Sequence, residues 1–146
     1  MTERSTPPGL PAWPEGTAAV LSTAGEHPHA IPVSTAIRTD DRTIHFALGG
    51  RRASLARLRA DPHCALTVMA GEDVAFTAHG RATVVDEDLE GTVALRLDVD
   101  SVQDHDQPTF TIEAGVGWRW TDAGAAARDA AVRAGLRRLP ASTDQV

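Results

Sequence analysis

The chain has 146 residues, 42% of them hydrophobic and 23% charged, which is ordinary globular material with enough apolar residues for one core. All 14 basic residues are arginine, so Schiff-base chemistry, a P-loop lysine and a lysine general base are excluded. A net charge of −6 argues against nucleic acid or an anionic membrane as partner, and a 4% aromatic share leaves few platforms for stacking bases. Residues 1–16 contain Pro7, Pro8, Pro11 and Pro14 and read as an extended arm docked by Leu10 and Trp13. Residues 17–23 form a short apolar run, and 24–28 a turn. Residues 29–38 alternate, with Ile31, Val33, Thr35 and Ile37 on one face; a turn at 39–42 leads into a second alternating run at 43–48. Period-2 runs between polar turns predict a meander of β-strands.

The rhythm changes at Gly49 and Gly50. Residues 51–60 space Leu55 and Leu58 three apart among alanine and arginine, which predicts a helix ended by Pro62. Strand patterning returns at 64–69 and, after a turn at 71–73, at 74–85, where Gly80 marks a bulge or a close backbone approach. Residues 86–91 read as a turn or short helix, 93–99 as a strand, and 109–120 as a last strand with Phe110, Ile112, Ala114, Val116, Trp118 and Trp120 in register. Thr121 or Asp122 caps a helix over 123–139, with arginine in its final turn; Pro140 and a polar tail follow. These elements predict a mainly β barrel of six or seven antiparallel strands over 17–139, with a short helix after the third strand and a C-terminal helix. Closure or dimerisation is needed to cover the edges.

No short catalytic motif is present. Cys64, the only cysteine, excludes an internal disulfide and a cysteine-rich zinc site; its apolar surroundings predict a buried, inert thiol. No apolar run reaches the roughly 20 residues that span a bilayer, and a cytoplasmic protein is expected. The best constellation is Gly49, Gly50, Arg51, Arg52, Ala53 and Ser54 at the strand-to-helix junction. Glycines, a helix start, two guanidiniums and a hydroxyl are the ingredients of a phosphate cradle, although a plain solvated helix start fits the same residues. His27 and His29 read as solvated turn residues, His45 as facing solvent or a cleft, and His79 as facing the barrel end or a partner. His105 falls in a polar loop, and no metal site is expected. Asp98, Asp100, Asp104 and Asp106 lack the glycine and closing glutamate of a calcium loop. Phe46 and Phe76 read as core; Trp118 and Trp120 read as core or interface rather than substrate-stacking residues.

Residues 18–23, the turn at His27, Pro28 and His29, and Ala30, Ile31, Pro32, Val33 and Ser34 resemble the opening of the pyridoxamine 5′-phosphate oxidase-like split β-barrels. The resemblance continues through Ile44, His45 and Phe46, the run 51–58, the run 61–68, and residues 80–85 (GRATVV). It implies an oxidoreductase that binds FMN, or the deazaflavin coenzyme F420, at a homodimer interface, with haem a less favoured cofactor. The cofactor would carry the redox chemistry for an unidentified small-molecule substrate, and no catalytic side chain is assigned. By this resemblance Pro32, Val33, Ser34 and Thr35 run along the cofactor ring, and Arg51, Arg52 and Ser54 hold its phosphate. Ser54 stands where the family usually has lysine. A non-catalytic carrier of flavin, deazaflavin or haem, or a cofactor-free structural dimer, is the alternative.

Overall fold

The structure, a computed structural model, describes residues 9–141 in full and the backbone of Ser5 and Thr6. The remainder of the expected arm and the end of the polar tail lie outside the described residues. The elements are β1 (Ser5–Thr6), β2 (Ala19–Thr23), β3 (His29–Val33), β4 (Ile37–Asp40), β5 (Thr43–Leu48), α1 (Ala53–Ala60), β6 (His63–Ala70), β7 (Val74–Leu89), β8 (Thr92–Asp104) and α2 (Ala123–Arg137). Seven strands form one antiparallel path in the order β3-β2-β6-β7-β8-β5-β4, and the two-residue β1 pairs with β8 beyond the end of β5.

The two edge strands, β3 and β4, are consecutive in the chain. Only Ser34, Thr35 and Ala36 join them, a link that reaches about 11 Å when extended. The sheet must therefore curl until its edges approach each other, which makes it a split β-barrel. The split is bridged by a side chain: Thr35 Oγ1 accepts from the Ala47 N–H at 3.0 Å and donates to the Ala47 carbonyl at 3.2 Å.

Alternation along the strands sends Leu21, Ile44, Phe46, Leu66, Val68, Phe76, Leu95 and Leu97 inward, each at most 1% exposed. Phe46 and Phe76 are core residues, as the sequence predicts. The arm is anchored as expected. Leu10 is buried, and the Trp13 ring lies 5.4 Å from Phe76 while its indole N–H donates to the Ala36 carbonyl at 3.2 Å. Strand β5 is buried on both faces, because its outer face joins Ile37 and Ala94 in a second cluster closed by Val132 and Leu136 of α2. The Asp122 carboxylate caps α2 by accepting from the Ala125 N–H at 2.8 Å.

The run 29–38 is not one strand but β3 and β4 separated at 34–36, the strand expected at 93–99 runs on to Asp104, and two further stretches depart more strongly from the sequence reading. Residues 86–91 are neither a turn alone nor a helix: β7 runs on to Leu89 and β8 starts at Thr92, turning at Glu90 and Gly91, both with positive φ. This ribbon breaks period 2 because its register shifts twice, at Val84/Asp86 and at Asp86/Leu89. Residues 109–120 are not a strand. They form an irregular strap that passes the β6–β7 turn, where the Asp73 carboxylate accepts from the Ile112 N–H at 2.6 Å. At Gly115 the strap lies so close to β6 that a Cβ would stand 2.6 Å from the Met69 carbonyl oxygen.

Candidate functional site

Segment 47–54 links the end of β5 to the first turn of α1, and it is fastened to the edge of β3 at two points. One is the Thr35–Ala47 pair already described. The other is a 3.0 Å hydrogen bond between His29 Nε2 and Ser54 Oγ. His29 begins β3 and Thr35 follows its end, so the segment runs alongside the whole strand. Gly49, Gly50, Arg51 and Arg52 between the two fastenings are exposed. Neither the Arg51 nor the Arg52 guanidinium has a hydrogen-bond or ion-pair partner among the described residues. Arg52 occupies the cap position of α1 in an extended conformation, and no side chain takes the first-turn N–H groups. An uncapped helix start beside two uncommitted guanidiniums can accept an anion.

Ser54 is placed differently from the two arginines. It is 1% exposed, and its hydroxyl is spent on His29. That bond also corrects the reading of His29 as a solvated turn residue; His27 does stay exposed in the turn. Thr35 is likewise committed, both ways, to Ala47. Pro32, Val33 and Ser34 border a cleft of about 370 Å³ whose other walls are Ala18, Val116, Trp118 and Trp120. Arg51 and Arg52 do not line that cleft.

Of the two readings given to the tryptophans, core or interface, the single chain excludes the first. Neither is core: Trp118 is 39% and Trp120 43% exposed. Their rings meet edge to face, with centroids 5.2 Å apart and planes at 78°. The Trp118 indole N–H donates to the Gly16 carbonyl at 2.8 Å, which ties the strap to the arm. Trp120 also borders a second cleft of about 400 Å³, between Thr35 and Ala47 on one side and Arg128, Asp129 and Val132 of α2 on the other. The signal for this wall was present in the alternating Val116, Trp118 and Trp120; assigning it to a strand hid its role.

Two further buried groups titrate abnormally without lining either cleft. Burial pushes the Cys64 thiol up to about 12, so it stays protonated and inert as expected. His45 is fully buried rather than facing solvent. Its Nδ1 bonds Thr39, while its Nε2, like the Thr43 hydroxyl beside it, has no partner among the described residues. Burial first, then the neighbouring Arg96, lowers its pKa below the ordinary 6.5, against weaker opposing effects of Asp98 and Asp40. As pH falls through 6.5, the unfolded chain takes up this proton and the folded chain does not, so stability drops until the folded pKa is reached and is flat above 6.5. Denaturant midpoints measured across this range should show that acid limb, and His45→Leu should flatten it; an unchanged limb in the variant would assign it to other groups.

His79 bonds Gln103 at 3.1 Å and His105 bonds Thr77 at 2.8 Å. Asp98 is held by Arg96 through two contacts, at 3.0 and 3.2 Å. Among the described residues no group of three or more histidine, cysteine, aspartate or glutamate side chains is placed to hold a metal, and no helix is long and apolar enough to cross a membrane.

A split barrel with an anion-ready helix start and an aromatic cleft on one edge strand defines the class. Residues 11–112 match the family described as pyridoxamine 5′-phosphate oxidase, and the chain belongs to that family. No curated protein sequence matches the chain significantly. Among solved structures it is similar to a pyridoxamine 5′-phosphate oxidase candidate from Listeria innocua, at 15% identity and a TM-score of 0.53 over 62% of this chain and 90% of that one. It is also similar to an FAD-binding protein from Mesorhizobium loti, at 13% identity and a TM-score of 0.51 over 60% and 83% of the two chains. HupZ from Group A Streptococcus matches at 12% identity and a TM-score of 0.51, over 69% and 90%. These likenesses show the fold.

Proposed function

We propose that this chain is an oxidoreductase that uses FMN or the deazaflavin coenzyme F420, bound along the β3 edge at a homodimer interface. The observation that carries this reading is the double fastening of segment 47–54 at His29 and Thr35, either side of Pro32, Val33 and Ser34, with the exposed Arg51 and Arg52, unpartnered among the described residues, between the two tie points. The residues fit such a group at both ends. The arginines suit a phosphate, since a guanidinium grips it through two parallel hydrogen bonds, and the apolar cleft at Pro32 suits a ring. The cofactor would supply the hydride or electron chemistry. Ser54 and Thr35 act by positioning: they hold the helix start and the barrel split in place. FAD binding by the Mesorhizobium loti neighbour supports a flavin-type ligand. The dimer reading is supported by Val20, Met69, Phe110 and Val116, large apolar side chains left exposed by the lone chain.

Titration of the purified protein with FMN and with the deazaflavin tests the reading directly. Saturable binding of one of them is expected, and Arg51→Ala and Arg52→Ala should each weaken it by about 1.5–3 kcal/mol if they make charge-assisted contacts. Binding unaffected by either change would remove the arginines from the phosphate site. Failure of both cofactors to bind or to raise thermal stability would remove the cofactor itself. Sedimentation that finds only monomer would contradict the interface.

A further inference from the structure

Trp120 lines both the Pro32 cleft and the cleft of about 400 Å³ on the α2 side, and Thr35 of the second follows Ser34 of the first, so the two are neighbours. Most polar side chains of the second cleft are already taken. The Thr35 hydroxyl holds Ala47, the Thr92 hydroxyl donates to the Leu89 carbonyl at 2.7 Å, and the Asp129 carboxylate accepts from Arg133 at 2.8 Å. Two groups remain: the Arg128 guanidinium on α2 and the Glu90 carboxylate at the β7–β8 turn. Among the described residues neither has a hydrogen-bond or ion-pair partner, and they do not pair with each other. Glu90 and Gly91 both have positive φ, as a two-residue hairpin turn of type I′ requires. That turn favours asparagine, aspartate or glycine at its first central position, so it gives no local reason for glutamate there. The rest of the lining is largely apolar, from Ala47, Ala125, Val132 and Trp120.

We propose that this cleft is the substrate subsite and that it takes a small zwitterion, an apolar body carrying a carboxylate and an ammonium group, of which an amino acid is the simplest case. Arg128 donates to the carboxylate, and the Glu90 carboxylate accepts from the ammonium group. Opposite charges that line one cleft without meeting leave a gap that a molecule bearing both charges fills. A plain anion would gain Arg128 but face Glu90, and a plain cation would gain Glu90 but face Arg128. Both groups are exposed, so each contact is screened and modest by itself; selectivity comes from using the two together. The apolar body lies against Val132 and Trp120, next to the cleft given to the cofactor ring. Its role as a substrate subsite rests on the cofactor reading of Pro32, Val33 and Ser34; its affinity for a zwitterion does not.

Titration of the nitrogen-15-labelled protein with three matched probes provides the test: L-phenylalanine, 3-phenylpropionate, which lacks the ammonium group, and 2-phenylethylamine, which lacks the carboxylate. The amides of Gly91, Thr92 and Val132 and the Trp120 indole N–H report on this cleft, and the amides of Val33 and Ser34 on the ring cleft. Trp13, packed on Phe76 and bonded to Ala36, is the internal reference. L-Phenylalanine is expected to shift the first set saturably, to leave Trp13 in place, and to bind about fivefold or more tightly than either single-charge probe. Arg128→Gln should weaken L-phenylalanine about fivefold without weakening 2-phenylethylamine, and Glu90→Gln should do the same without weakening 3-phenylpropionate. The L-phenylalanine shifts should persist when FMN or the deazaflavin is saturating. Equal affinity for the three probes, shifts confined to Val33 and Ser34, or unchanged selectivity in both variants would each overturn the proposal. If neither cofactor binds but L-phenylalanine shows this selectivity, the cofactor reading falls and the zwitterion site stands. If a cofactor binds and L-phenylalanine does not, or is displaced by it, the substrate inference falls alone.

Discussion

Gly80→Ala is expected to destabilise the protein by about 3 kcal/mol or more, at the upper end of the overpacking range. A Cβ at Gly80 would stand 2.0 Å from the Asp98 carbonyl oxygen, 2.9 Å from its carbon and 3.0 Å from the Val99 Cα. All three are backbone atoms of β8, so no change of rotamer can give way. The site lies at a bulge: His79 pairs with Ser101 and Gly80 with Val99, leaving Asp100 as the extra residue on β8. Relief would require parting β7 from β8 in the middle of the barrel, between the buried neighbours Ala78 and Ala82. For a chain of this length the loss corresponds to a fall in melting temperature of roughly 6–12 °C. Gly50→Ala is the control: nothing lies within 4 Å of a Cβ there and its φ is not positive. Thermal unfolding followed by circular dichroism should separate the two variants clearly. Equal melting temperatures would mean that the β7–β8 pairing is looser than the bulge implies.

Gly80 also shows what was legible in the sequence. A glycine in an otherwise alternating run has few physical explanations, and the bulge with its close approach supplies both of the expected ones. The alternation of β2 and β6 and the first strand-to-helix change were equally readable, because the side chains there alternate between one buried face and a more exposed one. The outer ribbon of β7 and β8 was not. Beyond the barrel it packs on little, so residues 85–91 carry no hydrophobic period to read. The strap failed for the opposite reason. Residues 110–120 have a strand's period but pair with no strand among the described residues, and Phe110, Val116, Trp118 and Trp120 remain exposed. At the candidate site, residue type located Arg51 and Arg52 correctly as exposed cations. It could not show that Ser54 turns inward to His29, since that contact spans 25 positions. The aromatic wall opposite Ser34 is a tertiary product of the same kind.

Leu136→Ala is expected to cost about 2–5 kcal/mol, as other deletions of a buried leucine side chain do, and to release α2 before the barrel opens. The helix begins with small side chains and commits itself to β4 and β5 mainly through Val132, Gly135 and Leu136. Gly135 lets Leu89 approach, because a Cβ there would stand 2.6 Å from its Cδ1. The remaining ties are ion pairs. Arg133 meets Glu15 at 3.2 Å and Arg137 reaches the same carboxylate. Partly exposed pairs of this kind contribute at most about 1 kcal/mol. Removing Leu136 therefore leaves mainly Val132 and the Leu89 contact at Gly135 to hold a helix of 15 residues, a length at which an isolated helix is marginal in water. Hydrogen exchange should show the α2 amides accelerating by about a hundredfold or more, with β6 and β7 amides moving much less. The cleft between Thr35 and Arg128 would lose one wall in the same event, whereas the Trp118 cleft, whose walls come from β3 and the strap, would persist. Equal acceleration in helix and barrel would instead make α2 part of one cooperative unit with the sheet, and both clefts would then share a single stability.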